Sequence, residues 1–172
     1  LRQTRQRRSR EISRARAFDM EVHALDLYWP EAFASQYEVT RHTEFESLLA
    51  ACDVVSLHTN LSEQTRHLIK AERIAIMKPG ALLVNTARSE LVHLPDVIEA
   101  LDSGKLGGYA TDVLDEEPPP ADHPLLHHSK ALITPHIGSR TYESVPRQAM
   151  RATLNLVNYL SGKADVIQAN KF

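Results

Sequence analysis

Short apolar runs alternate with helical patterns along most of this chain, and this alternation is the feature that most constrains its fold. Runs typical of strands occur in "MEVHALD", "YEVTR", "DVVSLH", "PGALLVNTA", "GGYATDV" and "ALITPH". Because short links join strand and helix in alternation, the pattern predicts an α/β fold with a parallel sheet covered on both faces. Right-handed crossovers then give a doubly wound, Rossmann-like arrangement.

Two helices carry recognisable end signals. In "TEFESLLAAC", Thr43 followed three residues later by Glu46 predicts a capping box. The stretch "TYESVPRQAMRATLNLVNYL" predicts a long final helix from about Thr141, with Gly162 at its end. Pro146 must lie in its first turn or kink it.

Charge and cysteine content narrow the class of protein. The formal net charge is −2, which predicts neither nucleic-acid binding nor a membrane surface for the whole chain. No apolar run approaches the roughly 20 residues of a membrane-spanning helix. With Cys52 alone, an internal disulfide is excluded, so a reducing compartment such as the cytoplasm is predicted. Residues 1–16 hold seven arginines against Glu11; we interpret them as an atypical segment rather than a nucleic-acid arm.

Polar side chains follow the predicted strands at the edge where ligands bind in sheets of this kind. Three of them cover distinct chemical tasks. Arg88 offers a fork of donors that can hold a carboxylate, and His136 can give or take a proton near neutrality. A carboxylate such as Glu117 favours the protonated imidazole. Together they suit oxidation or reduction of a small 2-hydroxy or 2-keto acid. Each also has a purely structural alternative. Arg88 would form a surface ion pair, Glu117 would lie in a solvated acidic turn, and His136 would be a hydrogen-bonded histidine at the end of a strand.

Four blocks, "CDVVSLHTNLSEQTRHLI", "MKPGALLVNTARSELV", "GGYATDVLDEEPPP" and "LITPHIGSRTYES", resemble the NAD-dependent D-isomer-specific 2-hydroxyacid dehydrogenases, in family order. The resemblance implies hydride transfer between NAD and a small hydroxy acid in a homodimer, with catalytic Arg88, Glu117 and His136. It also implies that NAD is bound, without a metal, by Asp26, Asn60, Thr65, Thr86, Ala87, Arg88, Asp112, His136 and Gly138. Residues 17–140 would form the NAD-binding domain, and 141–172 a helix returning towards a substrate domain.

One family feature is missing. Members open with a strand and a G-x-G-x-x-G loop that cradles the pyrophosphate, whereas the first glycine here is Gly80. The sequence therefore predicts a Rossmann-like sheet without its first strand and glycine-rich loop. We favour truncation or a shifted reading frame over arginines that replace the loop. In smaller departures, Ser89 stands where glycine is usual and Thr111 where an aliphatic residue is common.

Two further readings stay open. The chain would be a non-catalytic relic that keeps the fold for nucleotide binding or dimerisation. Alternatively, Asp122, His123, His127 and His128 in "DHPLLHHS" would supply metal ligands, although such a loop cluster is more often solvated.

Overall fold

A computed structural model describes residues 11–167 of the chain. They divide into two compact units, one ending at Thr134 and one beginning at Pro135. In order, the first unit contains α1 (residues 11–17), β1 (His23–Ala24), α2 (Glu31–Gln36), β2 (Thr40–Arg41), α3 (Phe45–Ala51), β3 (Val54–Leu57), α4 (Ala71–Ile76), β4 (Ala81–Asn85), α5 (Leu94–Asp102), β5 (Leu106–Thr111) and β6 (Ala131–Ile133). Single 3-10 turns cover Ser89–Leu91 and Pro124–His127.

The described strands are parallel, and they form two sheets. Strand β1 pairs with β2, and a separate four-stranded sheet has the order β3-β4-β5-β6. The parallel, Rossmann-like α/β class is therefore confirmed. Within residues 11–167, no strand pairs with both β1 and β3.

The four-stranded sheet buries one face. Strand residues alternate between faces, and Val55, Leu83 and Tyr109 on the buried side are at most 5% exposed. Val54 and Leu82, their alternates, are 39% and 44% exposed. The expectation that both faces are covered therefore does not hold for these side chains.

Helices α3, α4 and α5 supply the apolar side chains that pack on the buried face. Leu49 of α3, Ile74 of α4, and Val97 and Leu101 of α5 belong to one cluster with the inward strand residues. In α5, Val97 and Leu101 lie four positions apart and so share one face of the helix. This apolar cluster packs the three helices against one face of the sheet. The polar side chains of the predicted site lie in the loops that follow the carboxyl ends of the strands.

Close backbone approach explains one glycine at the start of β5. An added Cβ at Gly107 would lie 2.3 Å from the carbonyl oxygen of Gly80. A glycine at position 107 therefore lets the Gly80 turn sit directly against the strand.

The second unit contains α6 (Ser144–Leu160). Pro146 lies in its first turn, and Gly162 follows its end with φ +67°, as the sequence predicted. The Ser144 hydroxyl donates to the Ser139 carbonyl at 2.7 Å. This bond and the Gln148 amide, which donates to the same carbonyl at 2.8 Å, fix the chain entering the helix.

Helix α3 begins one residue later than its sequence signal indicates. Its N-cap is Glu44, without a side-chain capping bond, so the predicted capping box of Thr43 and Glu46 is wrong. Most of the predicted Arg-rich segment, residues 1–10, lies outside the described residues. Among the helices of residues 11–167, none combines the length and the apolar character that a membrane crossing requires.

Candidate active site

The carboxyl ends of β4 and β5 bring two predicted site segments to one edge. Asn85 pairs with Thr111 in the parallel register, so the segment from Thr86 to Arg88 and the segment beginning at Asp112 leave the sheet side by side. The backbone N–H of Asp112 donates to the carbonyl of Asn85 at 3.1 Å, which links the two loops at their first residues.

A buried amide shapes the turn that presents Arg88. Asn85 is fully buried, and its Nδ2 donates to the Arg88 carbonyl at 2.8 Å. Its Oδ1 accepts from the backbone N–H of Ala87 at 3.1 Å. The sequence analysis missed this residue, although an amide closing the apolar run "ALLVN" is the signal that could have found it. The Arg88 side chain is exposed, and its Nη1 donates to the Ala87 carbonyl at 2.6 Å.

Ser89, which replaces the usual glycine after Arg88, fits its backbone without strain. It opens a 3-10 turn and is not among the described residues with positive φ. Its hydroxyl donates to Glu90 Oε2 at 3.0 Å. Hydrogen bonds from the Glu90 backbone and then from Ser89 lower the pKa of the Glu90 carboxyl, with Arg66 and Arg88 adding to the effect. The Glu90 side chain, next to Arg88, is therefore a carboxylate at neutral pH.

Asp112 is the most buried of the acidic residues predicted for the site, at 7% exposure. Its Oδ1 accepts from the Thr134 hydroxyl at 2.5 Å, which ties the end of β5 to the segment after β6. Beside it, the Thr111 hydroxyl donates to the carbonyls of Asn85 and Val113 at 3.1 and 2.7 Å. A threonine thus replaces an aliphatic residue here without leaving a buried hydroxyl unsatisfied.

Glu117 lies in an exposed turn beyond β5. Its Oε1 accepts from the backbone N–H of Leu114 at 3.0 Å, so the carboxylate closes its own turn. The peptide bond to Pro118 is cis. The Glu117 turn thus follows β5 beyond the carboxyl edge of the sheet.

The sequence predicted that His136 ends a strand. This prediction is wrong, because β6 stops at Ile133. Pro135 offers no backbone N–H for a strand ladder. His136 lies in the second unit, half-buried, with φ +52°. Non-glycine residues rarely adopt this conformation, although histidine does so more readily than most. Gly138 follows it in the same unit and is exposed.

The other predicted cofactor residues lie at two further strand ends. Asp26 follows β1, and its Oδ1 accepts from the backbone N–H of Tyr28 at 3.0 Å. Beyond β3, the Thr65 hydroxyl donates to the Asn60 carbonyl at 2.7 Å. It also accepts from the backbone N–H of Ser62 at 2.8 Å, so Thr65 holds the loop from 60 to 65 in a compact turn.

The histidines of "DHPLLHHS" turn to three different partners. His123 Nε2 lies 2.9 Å from Asp115 Oδ1, and His127 Nε2 lies 2.8 Å from the Ala121 carbonyl. His128 Nε2 lies 3.3 Å from Asp102 Oδ1. Nowhere in residues 11–167 do three or more such side chains converge as a metal site would require. The geometry of these histidines therefore gives no support to the alternative interpretation as a metal centre.

A parallel α/β sheet with polar segments following β4 and β5 at its carboxyl edge is typical of Rossmann-like domains. Residues 9–138 match the family model described as "D-isomer specific 2-hydroxyacid dehydrogenase, NAD binding domain". The chain belongs to this family, which confirms the resemblance read from the four sequence blocks.

Relatives and solved structures agree with this assignment. The chain is 40% identical over 129 residues to a glyoxylate reductase of Thermofilum pendens, covering 75% of this chain and 38% of that protein. It is 36% identical over 149 residues to a D-3-phosphoglycerate dehydrogenase of Bacillus subtilis, covering 87% and 28%. The structure of D-lactate dehydrogenase with NAD+ from Lactobacillus jensenii superposes with a TM-score of 0.83 at 26% identity, covering 94% and 52%. The chain thus spans less than half of these two curated relatives.

Proposed function

We propose that this chain supplies the NAD-binding and proton-transfer part of an oxidoreductase acting on a small D-2-hydroxy acid or its 2-keto acid. Family membership over residues 9–138 is the observation that carries the proposal. The side-by-side exit of the Arg88 and Asp112 segments from β4 and β5 supports it. The glyoxylate reductase and the phosphoglycerate dehydrogenase to which the chain is similar are named for substrates of this class.

The residues of this chain fit the adenosine and nicotinamide ends of NAD, but they include no glycine loop for its central pyrophosphate. Asp26, following β1, has the acceptor that ribose hydroxyls need at this place in a Rossmann-like sheet. Asp112, Thr86 and Ala87 line the edge where a nicotinamide ring lies in such folds. No glycine precedes Gly80 in the 172 residues, so this sequence has no glycine loop for the pyrophosphate. When bound, NAD supplies the acceptor or donor of the hydride.

The protein side of the chemistry falls to three side chains. In the proposal, the Arg88 guanidinium holds the substrate carboxylate through paired hydrogen bonds. The His136 imidazole takes the hydroxyl proton in oxidation and returns it in reduction. The Glu117 carboxylate stabilises the imidazolium and orients the ring. Asn85 supports the first role, because it fixes the Arg88 turn through a backbone carbonyl.

His136 is the residue to test, and its backbone decides which variant to use. At φ +52°, alanine would add strain, whereas asparagine adopts positive φ comparatively readily. We expect His136→Asn to lower turnover of glyoxylate with NADH by about 10²- to 10⁴-fold, the usual worth of a general acid–base group. The NAD dissociation constant should change much less than turnover, because His136 is only one of several predicted cofactor contacts. Turnover that survives this change would refute the acid–base role.

A second candidate, a non-catalytic relic of the fold, is favoured by one observation, the missing glycine loop. Calorimetric titration of the chain with NAD separates the two candidates. Binding that Asp26→Ala weakens, together with reduction of glyoxylate, supports the enzyme, because the acid should hold the ribose hydroxyls. Binding without turnover supports a nucleotide-binding relic. A chain that is folded by circular dichroism and binds no NAD supports the relic. The homodimer and the cytoplasmic location stay predictions; light scattering of the purified chain tests the first.

A further inference from the structure

His123 differs from the other histidines of its segment because it is buried. Its side chain is 5% exposed, whereas that of its partner Asp115 is 57% exposed. The two are joined by a bond of 2.9 Å between His123 Nε2 and Asp115 Oδ1. A buried histidine reaching outward to an exposed loop carboxylate ties that loop to the core.

The other ring nitrogen fixes which tautomer is present. His123 Nδ1 accepts a hydrogen bond from the backbone N–H of Leu125 at 3.3 Å. An acceptor nitrogen carries no proton, so the proton of the neutral ring is on Nε2. The Nε2–H group therefore donates to Asp115. The same Nδ1 contact caps the 3-10 turn at Pro124–His127, which anchors the ring on the protein side.

Asp115 belongs to the turn that carries Glu117. The backbone N–H of Leu114, directly before Asp115, donates to Glu117 Oε1 at 3.0 Å. On the other side, the backbone N–H of Val113 donates to the Thr111 hydroxyl at 3.2 Å. The turn thus has one support at its base on β5 and another at Asp115. Loss of the second support frees the segment that presents the Leu114 N–H to the Glu117 carboxylate.

We propose that His123 is a positioning residue whose Nε2–H holds Asp115 and thereby sets the orientation of the Glu117 carboxylate. The inference rests on the proposed role of Glu117 beside the catalytic histidine. His123 acts through Asp115 and touches neither substrate nor cofactor in this role. An apolar residue at position 123 would fill the same space but leave the acidic turn without its tie.

The exposed partner allows a test that spares the core. Asp115→Ala removes the acceptor, and Asp115→Asn keeps an oxygen that accepts from His123. The Leu114 amide is the reporter, because its N–H donates to Glu117 Oε1 and its proton chemical shift should therefore respond when acid protonates that carboxyl. We expect Asp115→Ala to abolish this acid-dependent shift and to speed Leu114 amide exchange about 10-fold, the net worth of one hydrogen bond. Asp115→Asn should keep both within about twofold.

Two measurements on His123 complete the experiment. Nitrogen-15 shifts of its ring should show the proton on Nε2 at neutral pH, and His123→Gln, whose amide can donate to Asp115, should keep the Leu114 reporter. A proton on Nδ1, or a Leu114 titration that Asp115→Ala leaves unchanged, would overturn the inference. The proposed function fails separately: turnover that persists in Glu117→Gln would refute the role of Glu117 while the tie between residues 115 and 123 stands.

Discussion

Replacing Asn85 by aspartate tests how the Arg88 turn is held, because the change keeps the shape and alters one atom. In Asn85, Nδ2 donates to the Arg88 carbonyl and Oδ1 accepts from Ala87. In Asn85→Asp, the second contact survives, but an oxygen replaces the donor and meets a carbonyl oxygen at about the present 2.8 Å. The site is fully buried, so the charged form of the new carboxyl is disfavoured.

The size of the effect follows from proton linkage. Burial raises the pKa of such an aspartate in the folded chain above its unfolded value of about 3.9. The variant must then stay protonated in the folded state, and the penalty grows as the pH rises above the unfolded value. At about 1.4 kcal/mol for each pH unit, a folded pKa near 7 gives a loss of about 3 to 4 kcal/mol at neutral pH. Below about pH 4 the loss nearly vanishes, since the protonated oxygen can again donate to Arg88.

Urea unfolding followed by circular dichroism measures the difference between wild type and variant at several pH values. A variant that is unfolded at neutral pH and folds on acidification meets the same expectation. Gln36→Glu is the matched control, because it makes the same amide-to-acid change at an exposed position and should stay within about 0.5 kcal/mol. A loss in Asn85→Asp that is below about 1 kcal/mol, or that does not fall in acid, would refute the reasoning.

Two further predictions concern stability. Gly107→Ala should destabilise the chain by about 1 to 3 kcal/mol, because its Cβ meets the backbone of Gly80 at 2.3 Å. Gly108→Ala is the control in a thermal melt and should cost less, since the nearest atom, at 3.2 Å, ends a flexible side chain; equal losses would contradict the argument. The Ala71 backbone N–H is the main cause of the lowered pKa of Asp96. Asp96→Ala should therefore be less stable than wild type above about pH 4, and the difference should shrink as acid protonates the wild-type carboxyl; a difference independent of pH would count against it.

Sequence reasoning predicted the parts of the fold that depend on local pattern. The apolar runs predicted parallel strands, and Gly162 marked the end of α6 correctly, whereas the helix begins at Ser144 rather than near Thr141. The capping box at Thr43 failed because the chain there forms other bonds: His42 Nδ1 lies 2.7 Å from the Ser47 hydroxyl, which itself donates to the Glu44 carbonyl. Such competing local contacts are not readable from residue spacing alone.

The residues that support the site could not be predicted from the sequence, because their contacts depend on which side chains the fold buries. The family blocks indicated Arg88 and Glu117, but the supports of their turns involve residues whose importance depends on burial. Asn85 looked like the end of a strand, and His123 looked like one of several loop histidines. Only the fold shows that both are buried, at 0% and 5% exposure. A buried polar side chain needs hydrogen-bond partners within the protein, because water cannot reach it.

The pairing of β1 with β2 rests on two residue pairs. Backbone N–H groups of Thr40 and His42 donate to carbonyls of Val22 and Ala24, each at 2.8 Å, and a ladder this short is marginal by itself. Asp26 is two residues beyond β1. A ligand that binds the Asp26 carboxylate would also order the strand pair β1–β2. Part of its favourable binding enthalpy would then be offset by the conformational entropy that the chain loses. Affinity at this end of the sheet is then governed by pre-ordering as much as by contact.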